Sequence, residues 1–385
     1  RSYALFREAF SLIQLNRYEL ASAKYSELLE QYPDSDLAGS AQFAKAQSYY
    51  RSGKMDLAET EFTKSRDGDD LEIATEATHW IARIRLTRDR HAETIEVTRD
   101  QIKKGLEGNF TIPVQMDLAE ALAFSKTIDP QSEAKEIFCK IYDQNPEHPL
   151  APKALFNATV ITFQLNEFSD ALSLCERFLD ALTTDPMRAE IGYIKAESAR
   201  NLGKTKVANQ SYLDLLNIEC NDKHPMRGTW LLRAGAYWNT VGKSQQTLEF
   251  LGREGDLFTE PAQQAEAFLL LGQAHLESDD ALSAVKSLRA SEEKNTGWQR
   301  LPEVRLTLGD ALLAAELPIE AEECWLDLAE KNPGSTYGDQ ARYRLANLYR
   351  DRSDFEEAIS LYRSIYEGSQ VAELKPHARY GAGWT

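Results

Sequence analysis

Hydrophobic and polar positions along this chain follow a helical period, and the helices that the pattern predicts come in pairs. The clearest pair lies between Ala262 and Leu288, where residues of one predicted face recur every three or four positions on each side of a polar turn at 278–280. The facing residues are Phe268, Leu271, Gly272 and His275 before the turn and Ala281, Ala284 and Leu288 after it. This segment therefore predicts two antiparallel helices joined by a short turn.

A small residue recurs once in each predicted pair, at intervals of 36 to 40 residues. The positions are Ala21, Ala58, Thr94, Ala134, Ala171, Ala208, Thr247, Ala284, Ala321 and Ala358. A constant period of this length is typical of repeat architectures, in which each unit packs only on its neighbours. We expect these residues, called the ladder residues below, to lie where the two helices of a repeat approach most closely.

Turn chemistry supports the same division. Gly53, Gly203 and Gly242 lie between the two helices of their repeats, where a left-handed residue ends a helix at low cost. Helix-stopping prolines follow several second helices, at Pro33, Pro146 and Pro333. Because period, turns and small residues agree, the sequence predicts an all-α fold built from antiparallel helix–turn–helix repeats.

We predict one continuous solenoid over residues 1–385, made of ten repeats and a truncated eleventh at 371–385. The approximate bounds of the ten repeats are 2–36, 37–70, 71–108, 113–148, 149–184, 185–222, 223–258, 261–297, 298–334 and 335–370. The chain begins with Arg1 and ends where a further first helix starts, so we expect a fragment of a longer protein.

Charge narrows the range of partners. The chain has 61 acidic and 44 basic residues and a formal net charge of −17, which argues against nucleic acid because binding to phosphate backbones needs clustered Lys and Arg. We expect protein or peptide partners that are basic or amphipathic. No apolar run reaches the length of about 18 residues that a transmembrane helix needs.

Motifs of catalysis and metal binding are not found, and we predict a protein that is not an enzyme and has no cofactor or metal. Gly242, Lys243 and Ser244 imitate the end of a phosphate-binding loop, but Tyr237 occupies the position of its first glycine. The four cysteines are Cys139, Cys175, Cys220 and Cys324. Their spacing fits no zinc site, and we expect free thiols rather than disulfides.

The second-helix signature is a large or turn residue, an alanine three positions later, and a large apolar residue four positions after that. Tyr18, Ala21 and Tyr25 show it first. This pattern resembles the tetratricopeptide repeat family, although the period of 37 residues here exceeds the family's usual 34. The resemblance implies a right-handed superhelical solenoid that acts as a scaffold or adaptor, with partner segments bound along its groove.

The junctions between repeats, such as Tyr32 to Ser35, look like those of a bacterial envelope subclass. This subclass includes the lipoprotein subunit of the outer-membrane barrel-assembly complex and the Tol-Pal coordinating protein. The narrower resemblance implies a role in a cell-envelope assembly and a periplasmic location, with the cytoplasm as the alternative. Two other functions stay open: an architectural stretch of a longer solenoid, or the interaction region of an enzyme whose catalytic domain lies elsewhere.

Candidate partner-binding residues lie on the first helices, fifteen residues before each ladder residue. In proteins that resemble this one, this column contributes to the concave surface; the alternative is that it is buried between helices. The candidates of the column are Phe43, His79, Phe156, Tyr193 and Tyr343. Asn347 matches the asparagine of the carboxylate clamp found in some family members, but Tyr343 replaces the cation of that clamp, so the clamp is absent as a set.

Overall fold

The computed structural model describes residues 1–182, 186–218, 224–295, 297–369 and 371–385. These residues form 21 α-helices and two single turns of 3₁₀-helix, at Gly108–Phe110 and Gly255–Leu257. The α-helices are α1 (Ser2–Gln14), α2 (Tyr18–Gln31), α3 (Ala38–Arg51), α4 (Met55–Arg66), α5 (Leu71–Leu86), α6 (His91–Lys104), α7 (Thr111–Ala123), α8 (Ile128–Gln144), α9 (Ala151–Gln164), α10 (Phe168–Ala181), α11 (Arg188–Asn201), α12 (Thr205–Asn217), α13 (Arg227–Thr240), α14 (Ser244–Arg253), α15 (Pro261–Glu277), α16 (Ala281–Lys294), α17 (Leu301–Ala314), α18 (Pro318–Lys331), α19 (Thr336–Arg352), α20 (Phe355–Gly368) and α21 (Leu374–Trp384).

Successive helices pack as antiparallel pairs, and the predicted all-α fold is confirmed. Odd-numbered helices are called first helices below, and even-numbered helices second helices. The chain divides into two compact units, Arg1–Ala208 and Asn209–Thr385. The first unit contains α1 to α11 and the start of α12; the second contains the rest of α12 and α13 to α21. The repeat bounds and the single continuous solenoid stay predictions.

The ladder residues lie where the sequence predicts them. All ten are fully buried, each with 0% of its surface exposed. Two of them are threonines, whose hydroxyls need partners in such a position. Thr94 donates to the backbone oxygen of Arg90 at 3.0 Å, and Thr247 donates to Oδ1 of Asn239 at 2.7 Å. The threonines therefore fill the place of alanine with no unpaired hydroxyl.

Left-handed residues end most first helices. Gly53, Gly203 and Gly242 have φ angles of 77°, 67° and 69°, as expected. Residues other than glycine take the same conformation after other first helices: Asn16, Asp89, Asn166, Asp279, Glu316 and Ser353, with φ between 56° and 69°. The turn geometry is thus common to repeats with and without glycine, although a residue with a side chain adopts it at some cost.

Close approach of paired helices depends on small residues of the first helix as well. Cβ atoms added at Gly235, Gly272 and Gly309 would overlap side chains of the following second helix. The overlapped side chains are Leu251, Leu288 and Trp325, respectively. Each of these large residues lies four positions after its ladder residue. The pairing of a glycine with a large residue fixes the register between the two helices.

The cysteines are free thiols wherever the structure describes them. Cys175 is buried, and Cys139 and Cys324 are half-buried. Burial raises the pKa of the Cys175 thiol to about 12 and that of the Cys324 thiol to about 11. Cys220 lies outside the described residues. The expectation of free thiols is confirmed for the other three.

Candidate partner-binding face of the first helices

Neighbouring first helices contact one another within each unit, as α5 does with α7 and α13 with α15. The surface that they form is called the first-helix face. The first helices α1 to α9 and α13 to α19 each pack on their own second helix, which holds the backbone of the face in place.

The aromatic column lies at the edge between this face and the core. Phe43 is buried, and its ring lies 5.5 Å from that of Phe62 on the second helix of its repeat. Phe156 is half-buried, with its ring 6.5 Å from that of Phe178. Tyr193 is half-buried. These residues therefore contribute to core packing to different degrees, and their role in binding stays a prediction.

Tyr343 and Asn347 are brought together by one second-helix residue. The ring of Tyr343 lies 6.0 Å from that of Tyr362, and the Tyr362 hydroxyl donates to Oδ1 of Asn347 at 2.6 Å. Because Asn347 accepts this bond, its side chain is part of the packing between α19 and α20. The structure therefore joins the predicted residues Tyr343 and Asn347 through a shared partner, Tyr362.

His79 is the centre of a polar network. Its Nδ1 lies 2.6 Å from Oδ2 of Asp117, which is buried. Burial raises the pKa of the Asp117 carboxyl, and the hydrogen bond from His79 and the charge of Arg83 oppose this effect. Arg83 lies 3.5 Å from Asp117 and 2.8 Å from Glu120. Glu120 also pairs with Lys153 at 2.5 Å.

This network joins α5, α7 and α9 across the face, and sequence reasoning found only His79 of it. A signal was available, because Arg83 and Glu120 are opposite charges separated by 37 residues, one repeat period. The second unit has similar pairs between first helices of adjacent repeats, 34 residues apart: Arg344 with Asp310 at 2.7 Å and Arg300 with Glu266 at 3.1 Å. Exposed pairs of this kind contribute little stability, about 0–1 kcal/mol each.

A cleft of about 450 Å³ opens on the face between α7 and α9. Its lining residues are Glu120, Ala123, Phe124, Phe138, Lys153, Phe156, Asn157, Val160, Ile161 and Gln164. Phe124 is 67% exposed, and its ring stacks on that of His91 at 4.4 Å. Within the described part of the chain, the amide of Asn157 makes no hydrogen bond. The cleft thus combines an apolar wall with an amide free to bind a peptide backbone.

The second unit has a cleft of about 390 Å³ between α13, α15 and α17. Gln273 donates to Oε1 of Glu303 at 3.2 Å, and Arg300 donates to the same carboxylate at 2.9 Å. These side chains satisfy one another, so this cleft offers fewer free groups than the first. No group of three or more His, Cys, Asp or Glu in the described ranges has an arrangement that could hold a metal ion.

Comparison with known proteins agrees with this architecture. A family model described as tetratricopeptide repeat matches residues 6–70 and 306–373. These two segments have the sequence pattern of tetratricopeptide repeats. The matched segments include most of α1 to α4 and of α17 to α20, with the ladder residues Ala21, Ala58, Ala321 and Ala358. No curated protein matches the chain in sequence.

Solved structures of tetratricopeptide repeat proteins resemble this chain to different degrees. The C-terminal part of a TPR repeat-containing protein from Cytophaga hutchinsonii is 17% identical, with a TM-score of 0.51 over 70% of this chain and 98% of that one. A tetratricopeptide repeat protein from Parabacteroides merdae is 13% identical, with a TM-score of 0.43 over 76% and 98%. Yeast Tom70 is 13% identical, with a TM-score of 0.40 over 100% and 95%. The first similarity concerns the fold alone.

None of the helices in the described part of the chain combines the length and apolar character that a membrane crossing needs.

Proposed function

We propose that this protein is a non-catalytic scaffold that binds a segment of a partner protein on its first-helix face. Tetratricopeptide repeats are generally protein-interaction scaffolds. The observation that carries the proposal is the cleft between α7 and α9, where an exposed aromatic ring, Phe124, lies beside the free amide of Asn157. An apolar side chain of a partner fits between Phe124 and Val160, and Asn157 binds its backbone.

Lys153 and Glu120 at the rim of this cleft belong to the His79 network, so the network holds the cleft walls of α7 and α9 in place. Rigid walls favour binding because the scaffold then loses less conformational freedom when the partner binds. The predicted candidate Phe156 forms part of the cleft. We propose that the other residues of the column help to hold the first-helix face in place by packing against the core.

A displayed library of random peptides, selected on the 385-residue chain, tests this function. We expect the selected peptides to share an apolar residue. Their affinity for the Val160→Glu and Asn157→Ala variants should be about tenfold or more lower than their affinity for the parent chain. Ile128→Asp is the matched control, because Ile128 is 69% exposed but does not line the cleft. Selected peptides that bind all three variants as tightly as the parent would exclude this cleft as the binding site.

The finer predictions belong to this proposal as well. A role in a cell-envelope assembly and a periplasmic location stay predictions, which rest on the junctions between repeats. The two alternatives, an architectural stretch of a longer solenoid and the interaction region of an enzyme, stay predictions as well. Localisation of the full-length protein by fractionation of its source cells distinguishes the envelope from the cytoplasm.

A further inference from the structure

A carboxylate on the first-helix face of the first unit, that of Glu76 on α5, is only partly used by its neighbours. Glu76 is half-buried, and its Oε1 accepts hydrogen bonds from Nε2 of Gln47 at 3.4 Å and from Nε1 of Trp80 at 3.2 Å. Within the described ranges, Glu76 forms no ion pair, and its Oε2 accepts no hydrogen bond. One oxygen of this carboxylate therefore has acceptor capacity left.

The electrostatics of Glu76 favour a cation beside it. Burial raises the pKa of the Glu76 carboxyl, and the nearby charge of Glu72 acts in the same direction. The hydrogen bond from Trp80 and the charge of His79 oppose the rise but do not cancel it. A positive charge next to the carboxylate would stabilise its ionised form.

The second unit holds a similar arrangement that includes an arginine. Glu303 matches Glu76 in register, because each lies three residues before the column residue of its first helix. Glu303 likewise accepts from a glutamine of the preceding first helix, Gln273, at 3.2 Å. Arg300 donates to both carboxylate oxygens of Glu303, at 2.9 and 3.0 Å, and its guanidinium carbon lies 5.2 Å from the centre of the Trp298 ring. A carboxylate, a glutamine and a tryptophan thus hold a guanidinium in this fold.

The first unit has no arginine in that register. Arg300 lies three residues before Glu303, whereas the residue three before Glu76 is Ile73, whose side chain carries no charge. Trp80 provides an aromatic ring here, although it follows the carboxylate in the chain instead of preceding it. This ring is half-buried and lies 4.9 Å from that of Tyr50. The carboxylate, the glutamine and the tryptophan are therefore present without the guanidinium.

We propose that Glu76, Gln47 and Trp80 bind the side chain of an arginine from a partner protein. Its guanidinium would donate to Oε2 of Glu76 and lie against the ring of Trp80. Arginine fits better than lysine because a planar guanidinium can pair with a carboxylate and stack on a ring at the same time. The site lies on α3 and α5, apart from the cleft between α7 and α9, so the inference does not depend on the proposed function.

The test follows the fluorine resonances of the 385-residue chain labelled with fluorotryptophan. The probe is Nα-acetyl-arginine methylamide, and Trp80→Phe assigns the resonance of Trp80. We expect this resonance to shift with a Kd on the order of 10 mM, as a single ion pair with a cation–π contact predicts. The citrulline analogue, which is neutral and of similar shape, should cause no shift. Equal responses to citrulline, or equally tight binding of the lysine analogue, would overturn the proposal.

Glu76→Gln should weaken binding of the arginine derivative about fivefold or more, because it removes the charge and keeps the shape. The matched control Glu147→Gln makes the same change of net charge at an exposed carboxylate between α8 and α9 and should leave the Kd unchanged. Ile73→Arg copies the register of Arg300 and should abolish binding by occupying the carboxylate. Circular dichroism checks that each variant is folded. Equal losses in both glutamine variants, or full binding by Ile73→Arg, would refute the assignment.

Two other occupants are distinguishable, and either would also overturn the proposal. A dimer of the parent chain that Glu76→Gln converts to a monomer, measured by sedimentation, would show that an arginine of a second copy fills the site. If the Trp80 resonance of the full-length protein did not respond to the probe, while that of the 385-residue chain did, its own chain would be the occupant. A response of the full-length protein supports a partner.

Discussion

At the scale of residues, burial controls the chemistry of the thiols. With the pKa of Cys324 raised to about 11 and that of Cys175 to about 12, about one Cys324 thiol in a thousand is ionised at pH 8, and fewer at Cys175. We expect both to react with a disulfide reagent many times more slowly in the native protein than in denaturant. The assay uses Cys220→Ser to remove the thiol outside the described residues. Equal rates in the two conditions would contradict the prediction.

Asp117 gives the protein a pH dependence of opposite sign to that of an ordinary paired carboxylate. Burial raises the pKa of Asp117 in the folded state above the ordinary value of 3.8. Between the pKa of the unfolded state and that of the folded state, the folded protein therefore binds more protons than the unfolded protein. The contribution of Asp117 to the free energy of unfolding falls as the pH rises through this range. His79, Arg83 and Glu120 are the charged groups around it.

The measurement compares the parent with Asp117→Asn, whose neutral amide does not titrate. We expect the stability of Asp117→Asn relative to the parent to increase as pH rises from about 3.8, in urea unfolding at several pH values. A difference that falls or stays constant with pH would contradict the prediction.

At the scale of elements, the contact between a glycine and a large residue sets how closely paired helices lie. Gly309→Ala places a methyl group against Trp325 and should destabilise the protein by about 1–3 kcal/mol. Gly252 lies in α14 with nothing within 4 Å, so Gly252→Ala should stabilise it by about 0.5–1 kcal/mol. Urea unfolding followed by circular dichroism measures both, and changes of the same sign would refute the argument.

Aromatic residues of the first helices are buried to different degrees from one helix to the next. Phe43 is 9% exposed, and its replacement by serine should cost about 3–5 kcal/mol, as loss of a buried phenylalanine does. Phe156→Ser should cost less because that side chain is half-buried. Phe124→Ser, at a ring that is 67% exposed, should change stability by at most about 0.5 kcal/mol. The order of the three unfolding free energies is the test.

At the scale of the whole molecule, the net charge affects which partners the protein binds rather than how it folds. A chain of charge −17 should bind basic peptides from the displayed library more weakly as salt screens the attraction, by about tenfold between 0.05 and 0.5 M. Neutral peptides of the same length are the control. Affinity of basic peptides that does not change with salt would show that net charge has no part in recognition.

The sequence by itself determined the all-α fold, because a period of about 37 residues and a helical spacing leave few other ways to bury the apolar positions. It also placed the ladder residues, all ten of which are buried. The left-handed turns were predicted only where glycine marks them. Asn16, Asp89 and the other non-glycine residues take that conformation because the same two helices must be joined, which is a tertiary requirement.

Only the tertiary structure decided which first-helix residues are exposed. Phe43 and Phe156 occupy one sequence register, yet one is core and the other lines a cleft, because exposure depends on how neighbouring first helices lie against each other. The pairing of His79 with Asp117 joins residues 38 apart in the chain.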